Sequence, residues 1–193
     1  MFTSDLHFGH ANANMLCRRP WATVEEMNAG LTANWNSVVQ PEDTVYVLGD
    51  FAMGVRDRIP EYLSALNGHK YLVVGNHDIK KYSDHPDCVP RRAMEKFLYK
   101  QHLTAGWEWI HNYGYAEVDG KRIYMTHIPC TMEWYKAAGI EADVYMCGHV
   151  HNAWVRNDGV ENVGVDVCDY RPMTLEQILA RPQKLGESHR QVM

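Results

Sequence analysis

Apolar positions along the chain follow two rhythms. Short runs rich in Val, Tyr, Leu and Ile occupy Thr44–Leu48, Lys70–Val74, Ile123–Thr126 and Asp143–Cys147, a length and composition that predict β-strands. Phe2-Thr3-Ser4 predicts a short first strand, and the residues near Val160–Val167 a last one. Tyr115–Val118 and Lys121–Thr126 flank Asp119-Gly120, two turn residues that tolerate positive φ, which predicts a hairpin. Elsewhere the apolar spacing is helical. Thr23 and Glu26 have the separation of a capping box, and Met27, Leu31 and Trp35 then recur at every fourth position. Ile59, Tyr62, Leu63 and Leu66 form a stripe that stops at Gly68, a good C-terminal cap. Thr131–Ala138 and Thr174–Ala180 read the same way. Strands interleaved with helices, and one hairpin, predict an α/β fold on mixed sheets.

Composition narrows the class. The 193 residues suit one domain over 1–193, and a 46% hydrophobic content supports a sizeable core. There is no repeat, linker or interval long enough for a cap domain. No stretch approaches the ~20 apolar residues of a membrane span, and the first residues have neither the basic flank nor the apolar run of a signal peptide. The five cysteines (17, 88, 130, 147, 168) include no C-x-x-C pair, which argues against a disulfide framework or a structural zinc module. A reduced, cytoplasmic protein is expected. The formal net charge is −5. The basic pairs Arg18-Arg19, Lys80-Lys81 and Arg91-Arg92 are short enough to read as solvated surface, so a nucleic-acid polymer is not the expected partner.

The residues just beyond the strands change the picture. Phe2-Thr3-Ser4 leads into Asp5 and His7, and Val45–Gly49 leads into Asp50. Leu72–Gly75 leads into Asn76, His77 and Asp78; Tyr124–Thr126 leads into His127; Val144–Gly148 leads into His149 and His151. In α/β sheets, sites form beyond the carboxyl ends of strands. One Asp-x-His or one Gly-Asp is a weak signal; five strand ends that each deliver metal-ligand chemistry are a strong one. Glycine precedes three of the clusters, where it permits a sharp exit and close approach of backbone. Imidazole, carboxylate and amide oxygen suit divalent first-row metals, with no thiolate to select a soft ion. Two divalent cations against Asp5 and Asp50 give a formal +2 centre, and one hydroxide lowers it to +1, a charge that attracts a phosphate group.

The order D-x-H (Asp5, His7), G-D (Asp50), G-N-H-D (Asn76, His77, Asp78), H (His127) and G-H-x-H (His149, His151) resembles the calcineurin-like metallophosphoesterase superfamily. The segments SDLHFGH, GDF and VGVDVCDYRPMTLEQI are similar to its small phage and bacterial phosphoesterases. The resemblance implies a two-sheet mixed β-sandwich flanked by helices, with two divalent metals at one end of the sheets. By it, Asp5, His7 and His151 would hold the first metal, and Asn76, His127 and His149 the second. Asp50 would bridge them, and Asn76 would also meet the substrate. His77 would contact the phosphate or protonate the leaving oxygen, with Asp78 fixing its ring. Manganese is the expected metal, with iron, zinc, nickel or magnesium as alternatives.

Outside that set, His10 is a candidate substrate contact, set against a structural reading of equal weight. Asn14 and Asn34 could line the mouth, whereas Trp35 continues a core stripe. Lys80, Lys81 and His85 could meet an anion or simply be solvated, and Arg156 is equally ambiguous. The expected activity is hydrolysis of a small phosphodiester such as a cyclic nucleotide. Phosphomonoesterase, dinucleoside-polyphosphate or protein phosphatase, nuclease and non-catalytic metal-binding scaffold are the alternatives, the last disfavoured by the complete catalytic set.

Overall fold

A computed structural model describes residues 1–78 and 105–182. Lys80, Lys81, His85, Cys88 and the Arg91-Arg92 pair lie outside the described residues. The strands are β1 (Phe2–Thr3), β2 (Thr44–Val47), β3 (His69–Val73), β4 (Trp109–His111), β5 (Tyr113–Val118), β6 (Lys121–Thr126), β7 (Val144–Cys147), β8 (Arg156–Asn157) and β9 (Val160–Asn162). The helices are α1 (Ala13–Cys17), α2 (Val24–Asn36), α3 (Ile59–Ser64), α4 (Met132–Ala137) and α5 (Leu175–Ala180). One sheet has the order β1-β2-β3-β4 with every neighbour parallel, plus an isolated antiparallel bridge from Phe2 to Met173. The other has the order β5-β6-β7-β9-β8, antiparallel at its two outer pairs and parallel within.

The period-two alternation of the strands sorts their side chains into layers. Val45, Val47 and Leu72 pack with Met27, Leu31 and Trp35 of α2 and Tyr62 and Leu63 of α3. Phe2, Leu48 and Val73 instead meet Ile123, Met125, Val144 and Met146 between the sheets. Tyr124, Tyr145 and Cys147 point away from that core and cluster with Tyr135 of α4. The result is helix, sheet, sheet, helix: the two-sheet α/β sandwich expected. Caps hold the helices in register. Thr23 Oγ1 accepts the Glu26 N–H at 3.1 Å, and Glu26 Oε2 accepts the Thr23 N–H at 3.2 Å. Trp35 is fully buried and donates Nε1–H to the Asn67 carbonyl at 3.0 Å, a core role.

Differences from the sequence reading have local causes. The strand expected near Val160–Val167 stops at Asn162, and a 3₁₀ turn covers Val165–Val167. The Asn162 side chain ends the ladder: Oδ1 accepts the Gly164 N–H at 2.8 Å and Nδ2 donates to the His151 carbonyl at 2.7 Å. The strands β4 and β8 were not expected. At three and two residues they are too short to show a period.

Candidate metal centre

The exits of β1, β2, β3 and β7 are laced together before any side chain reaches the site. The Asp5 N–H donates to the Gly49 carbonyl at 3.0 Å and the His7 N–H to the Asp50 carbonyl at 3.0 Å. Asp50 Oδ1 accepts the His77 N–H at 2.8 Å, and Asp5 Oδ2 accepts the His149 N–H at 3.0 Å. The Asp78 carboxylate accepts backbone N–H groups from Asp50, Phe51 and Gly75 at 2.8, 2.9 and 2.7 Å. It therefore ties two exit loops to each other through its carboxylate. Gly75 and Gly148 have no room for a side chain. A Cβ at Gly75 would collide with Asp50 Oδ1, and one at Gly148 with Ser4 Oγ and, at 2.7 Å, with Asp5 Oδ2. Asp5, His7, Asp50, His149 and His151 all take left-handed backbone, with φ of 57°, 54°, 54°, 72° and 48°. Such a conformation costs a non-glycine residue roughly 1–2 kcal/mol; the bonds just described hold Asp5, His7, Asp50 and His149 in it, and the Asn162 side chain holds His151 through its carbonyl.

Seven side chains named from the sequence converge here. Asp5, His7 and His151 form one set with donor atoms within 4.8 Å of one another, and Asp50, His127 and His149 form another. Asn76 Oδ1 lies 3.0 Å from His127 Nε2 and 2.9 Å from His149 Nδ1, joining the second set. Asp50 Oδ2 stands between the sets, 3.7 Å from His7 Nε2 and 3.4 Å from His127 Nε2. The His7 ring is buried, yet among the described residues neither of its nitrogens has a hydrogen-bond partner. Burying unpaired imidazole nitrogens is costly, and a cation is the partner that fits oxygen and nitrogen donors so arranged.

Ionisation follows from burial and pairing. Burial pushes His7 down to about 3, so its ring is neutral. Burial raises Asp5 to about 6 against the pull of His127 and His151. At Asp50 burial acts upward, but hydrogen bonding and charge attraction to His127 win and bring it to about 2. Burial would lower His127 and His151, yet Asp50 carries the first up to about 9 and Asp166 the second to about 10. His127 Nδ1–H donates to the Leu48 carbonyl at 2.7 Å and His151 Nδ1 meets Asp166 Oδ2 at 2.9 Å, which leaves Nε2 of each ring for a cation.

Two residues of this network escaped the sequence reading. Arg19, read as half of a solvated pair, is buried. Its Nε donates to Asp166 Oδ1 at 2.8 Å and its terminal nitrogens to the carbonyls of Leu6 and Asp5 at 2.8 and 2.6 Å. Nothing in an Arg-Arg pair announces this. Asp166 carried a better signal, a lone carboxylate among the apolar residues of VGVDV. Arg156 pairs with buried Glu161, which also meets Arg181 at 3.5 Å, so its role is structural. His10 does reach the site. Its ring centroid lies 5.4 Å from that of His7, and with His7, His77, His151, Leu16 and Asn152 it lines a cleft of about 340 Å³. Asn14 donates to the Thr23 carbonyl at 3.0 Å.

Known proteins resemble this chain. The sequence model of the calcineurin-like phosphoesterase superfamily domain matches residues 1–168. An uncharacterized protein of Methanocaldococcus jannaschii is 47% identical over 77 residues, 39% of this chain and 44% of its own length. The Gene 66 protein of Mycobacterium phage L5 is 44% identical over 80 residues, 40% of this chain and 38% of its own. The aligned stretch thus spans less than half of either curated relative. A solved structure of a protein of unknown function from Aquifex aeolicus superposes with a TM-score of 0.64 at 27% identity, covering 92% of this chain and 95% of that one.

Proposed function

The chain belongs to the calcineurin-like phosphoesterase superfamily, and from that premise we propose that it is a dinuclear metal-dependent phosphodiesterase acting on small diesters. The observation that carries the reading is Asp50 Oδ2, poised between two separate donor sets, with the buried His7 nitrogens lacking a hydrogen-bond partner among the described residues. Asp5, His7 and His151 would hold one cation, Asn76, His127 and His149 the other, and Asp50 both. Two divalent cations, when bound, supply Lewis acidity and a water activated near neutral pH.

The chain's own groups do the rest. The His77 N–H is anchored on Asp50, and its ring lines the cleft with Nε2 4.0 Å from Asp50 Oδ2. From there Nε2–H can donate to a phosphate oxygen or protonate the departing one. His10, its pKa lowered by burial, lines the same cleft and offers a neutral donor there. The described lining contains no Lys or Arg, which suits a singly charged diester better than a dianionic monoester. The cleft volume is at the small end of the roughly 300–1,000 Å³ common for small-molecule sites.

The test is a substrate panel on metal-free and Mn²⁺-loaded protein: bis-p-nitrophenyl phosphate, p-nitrophenyl phosphate, 2′,3′- and 3′,5′-cyclic nucleotides and single-stranded DNA. Turnover should vanish on metal removal, return with Mn²⁺, and favour the small diesters. Zinc, iron, nickel and magnesium complete the metal series. Undiminished hydrolysis after exhaustive metal removal would overturn the metal reading, and a preference for the monoester would overturn the diester one.

A further inference from the structure

We propose that Arg19 and Asp166 form a buried positioning pair that governs one of the two cation sites, the Asp5–His7–His151 site, and leaves the other largely untouched. The inference rests on the dinuclear reading above. The pair is enclosed, with side chains 0% and 1% exposed and Nε–Oδ1 at 2.8 Å. It contacts each member of the first donor set or the backbone beside it. Arg19 donates to the carbonyls of Asp5 and of Leu6, the residue between Asp5 and His7, at 2.6 and 2.8 Å. Asp166 Oδ2 takes Nδ1 of His151 at 2.9 Å while a second Arg19 nitrogen reaches it at 3.2 Å. One ion pair, joining residues 147 positions apart, thus fixes two left-handed backbone turns and one ring orientation.

The second donor set is oriented by other means. The His127 ring is set by the Leu48 carbonyl at 2.7 Å, and Asn76 Oδ1 by the two imidazoles at 2.9 and 3.0 Å. A carboxylate behind a ligating imidazole fixes its tautomer and raises its basicity, and a carbonyl does so less strongly. The two sites share Asp50, and Asp5 also accepts the His149 N–H, but the groups behind their ligating side chains differ, so damage to the Arg19–Asp166 pair falls mainly on the first site.

Mn²⁺ binding to the metal-free 193-residue chain tests this, read by calorimetry and by the electron-spin-resonance signal of free Mn²⁺. The unsubstituted chain should bind two ions. Asp166→Asn should keep one at unchanged affinity and weaken the other on the order of 10–100-fold. Adding His149→Ala should then abolish the remaining tight ion, whereas adding Asp5→Asn should not. Where Asp166→Asn fails to fold because Arg19 is left unpaired, Arg19→Met with Asp166→Leu removes both charges, an exchange that buried ion pairs often tolerate, and should show the same one-sided loss. Equal weakening of both sites, as a merely structural role would give, overturns the proposal, and so does retention of both at unchanged affinity. An unsubstituted chain that binds no divalent ion defeats the dinuclear reading itself, and is told apart because it appears before any substitution.

Discussion

His77 is half-buried in the cleft lining: its backbone N–H donates to Asp50 Oδ1, and its ring Nε2 lies 4.0 Å from Asp50 Oδ2. If the ring protonates the departing oxygen, His77→Ala should slow esters with alkoxide leaving groups far more than nitrophenyl esters, by on the order of 10²–10⁴-fold against little change. Steady-state rates on the two classes decide it, and equal losses would assign the ring to phosphate binding. Proton release offers a second check at this scale. In the metal-free chain His127 and His151, near 9 and 10, are protonated at neutral pH, whereas His7 near 3 and Asp50 near 2 have no proton to give. Because Nδ1 of both raised histidines is engaged, the proton that leaves is the one on Nε2. Filling both sites at pH 7 should therefore release about two protons. Asp5, near 6, adds a third only below that pH, so affinity should fall more steeply as pH drops through 6. Calorimetry in buffers of different ionisation enthalpy measures this, and no release at pH 7 would contradict the assignment of those rings as ligands.

The turns leaving the strands set what each element tolerates. Gly148 has ordinary φ but no space, since a methyl group would strike Ser4 and Asp5. Gly120, in the β5–β6 hairpin, has open space but a φ of +72°. Gly148→Ala should cost about 1–3 kcal/mol by overpacking and also weaken cation binding by moving Asp5. Gly120→Ala should cost only about 1 kcal/mol of backbone strain and leave binding unchanged. Urea unfolding beside a Mn²⁺ titration separates them; similar losses of Mn²⁺ affinity would refute the distinction. The same contrast explains what could be read from sequence. Strand-end motifs are local, so Asp5, His7, Asn76, His149 and their neighbours declared themselves through the residues beside them. The capping box at Thr23 did so for the same reason. The Arg19–Asp166 pair is a product of topology, as is the interlock of Gly148 with Ser4, and no spacing records either. The segments β4 and β8 are too short for alternation to develop.

Over the whole molecule, the distribution of charge bears on substrate size. A groove for a polyanion could have drawn on Arg18, Arg19, Lys80, Lys81 and Arg156. Of these, Arg19 is sealed against Asp166 and Arg156 is spent on Glu161, and the lysines lie outside the described residues. Hydrolysis of a small diester should therefore change little between about 50 and 200 mM salt, whereas a polymer bound through several phosphates would weaken by on the order of 10³-fold or more. A steep salt slope with single-stranded DNA, beside negligible turnover of cyclic nucleotides, would reverse the proposed preference. No described helix is long and apolar enough to cross a membrane.

The hydrogen bond from His149 to Asp5 joins residues 144 positions apart, from strands in different sheets. Contacts so distant along a chain form late, because their loop-closure entropy must be met before they contribute. Neither sheet can complete the Asp5–His7–His151 set before the two have docked. Cation capture is in this sense a clock for folding: a divalent ion present from the start of refolding should be taken up only in the final phase, after secondary structure has appeared. Its arrival would mark the moment at which the sandwich closes.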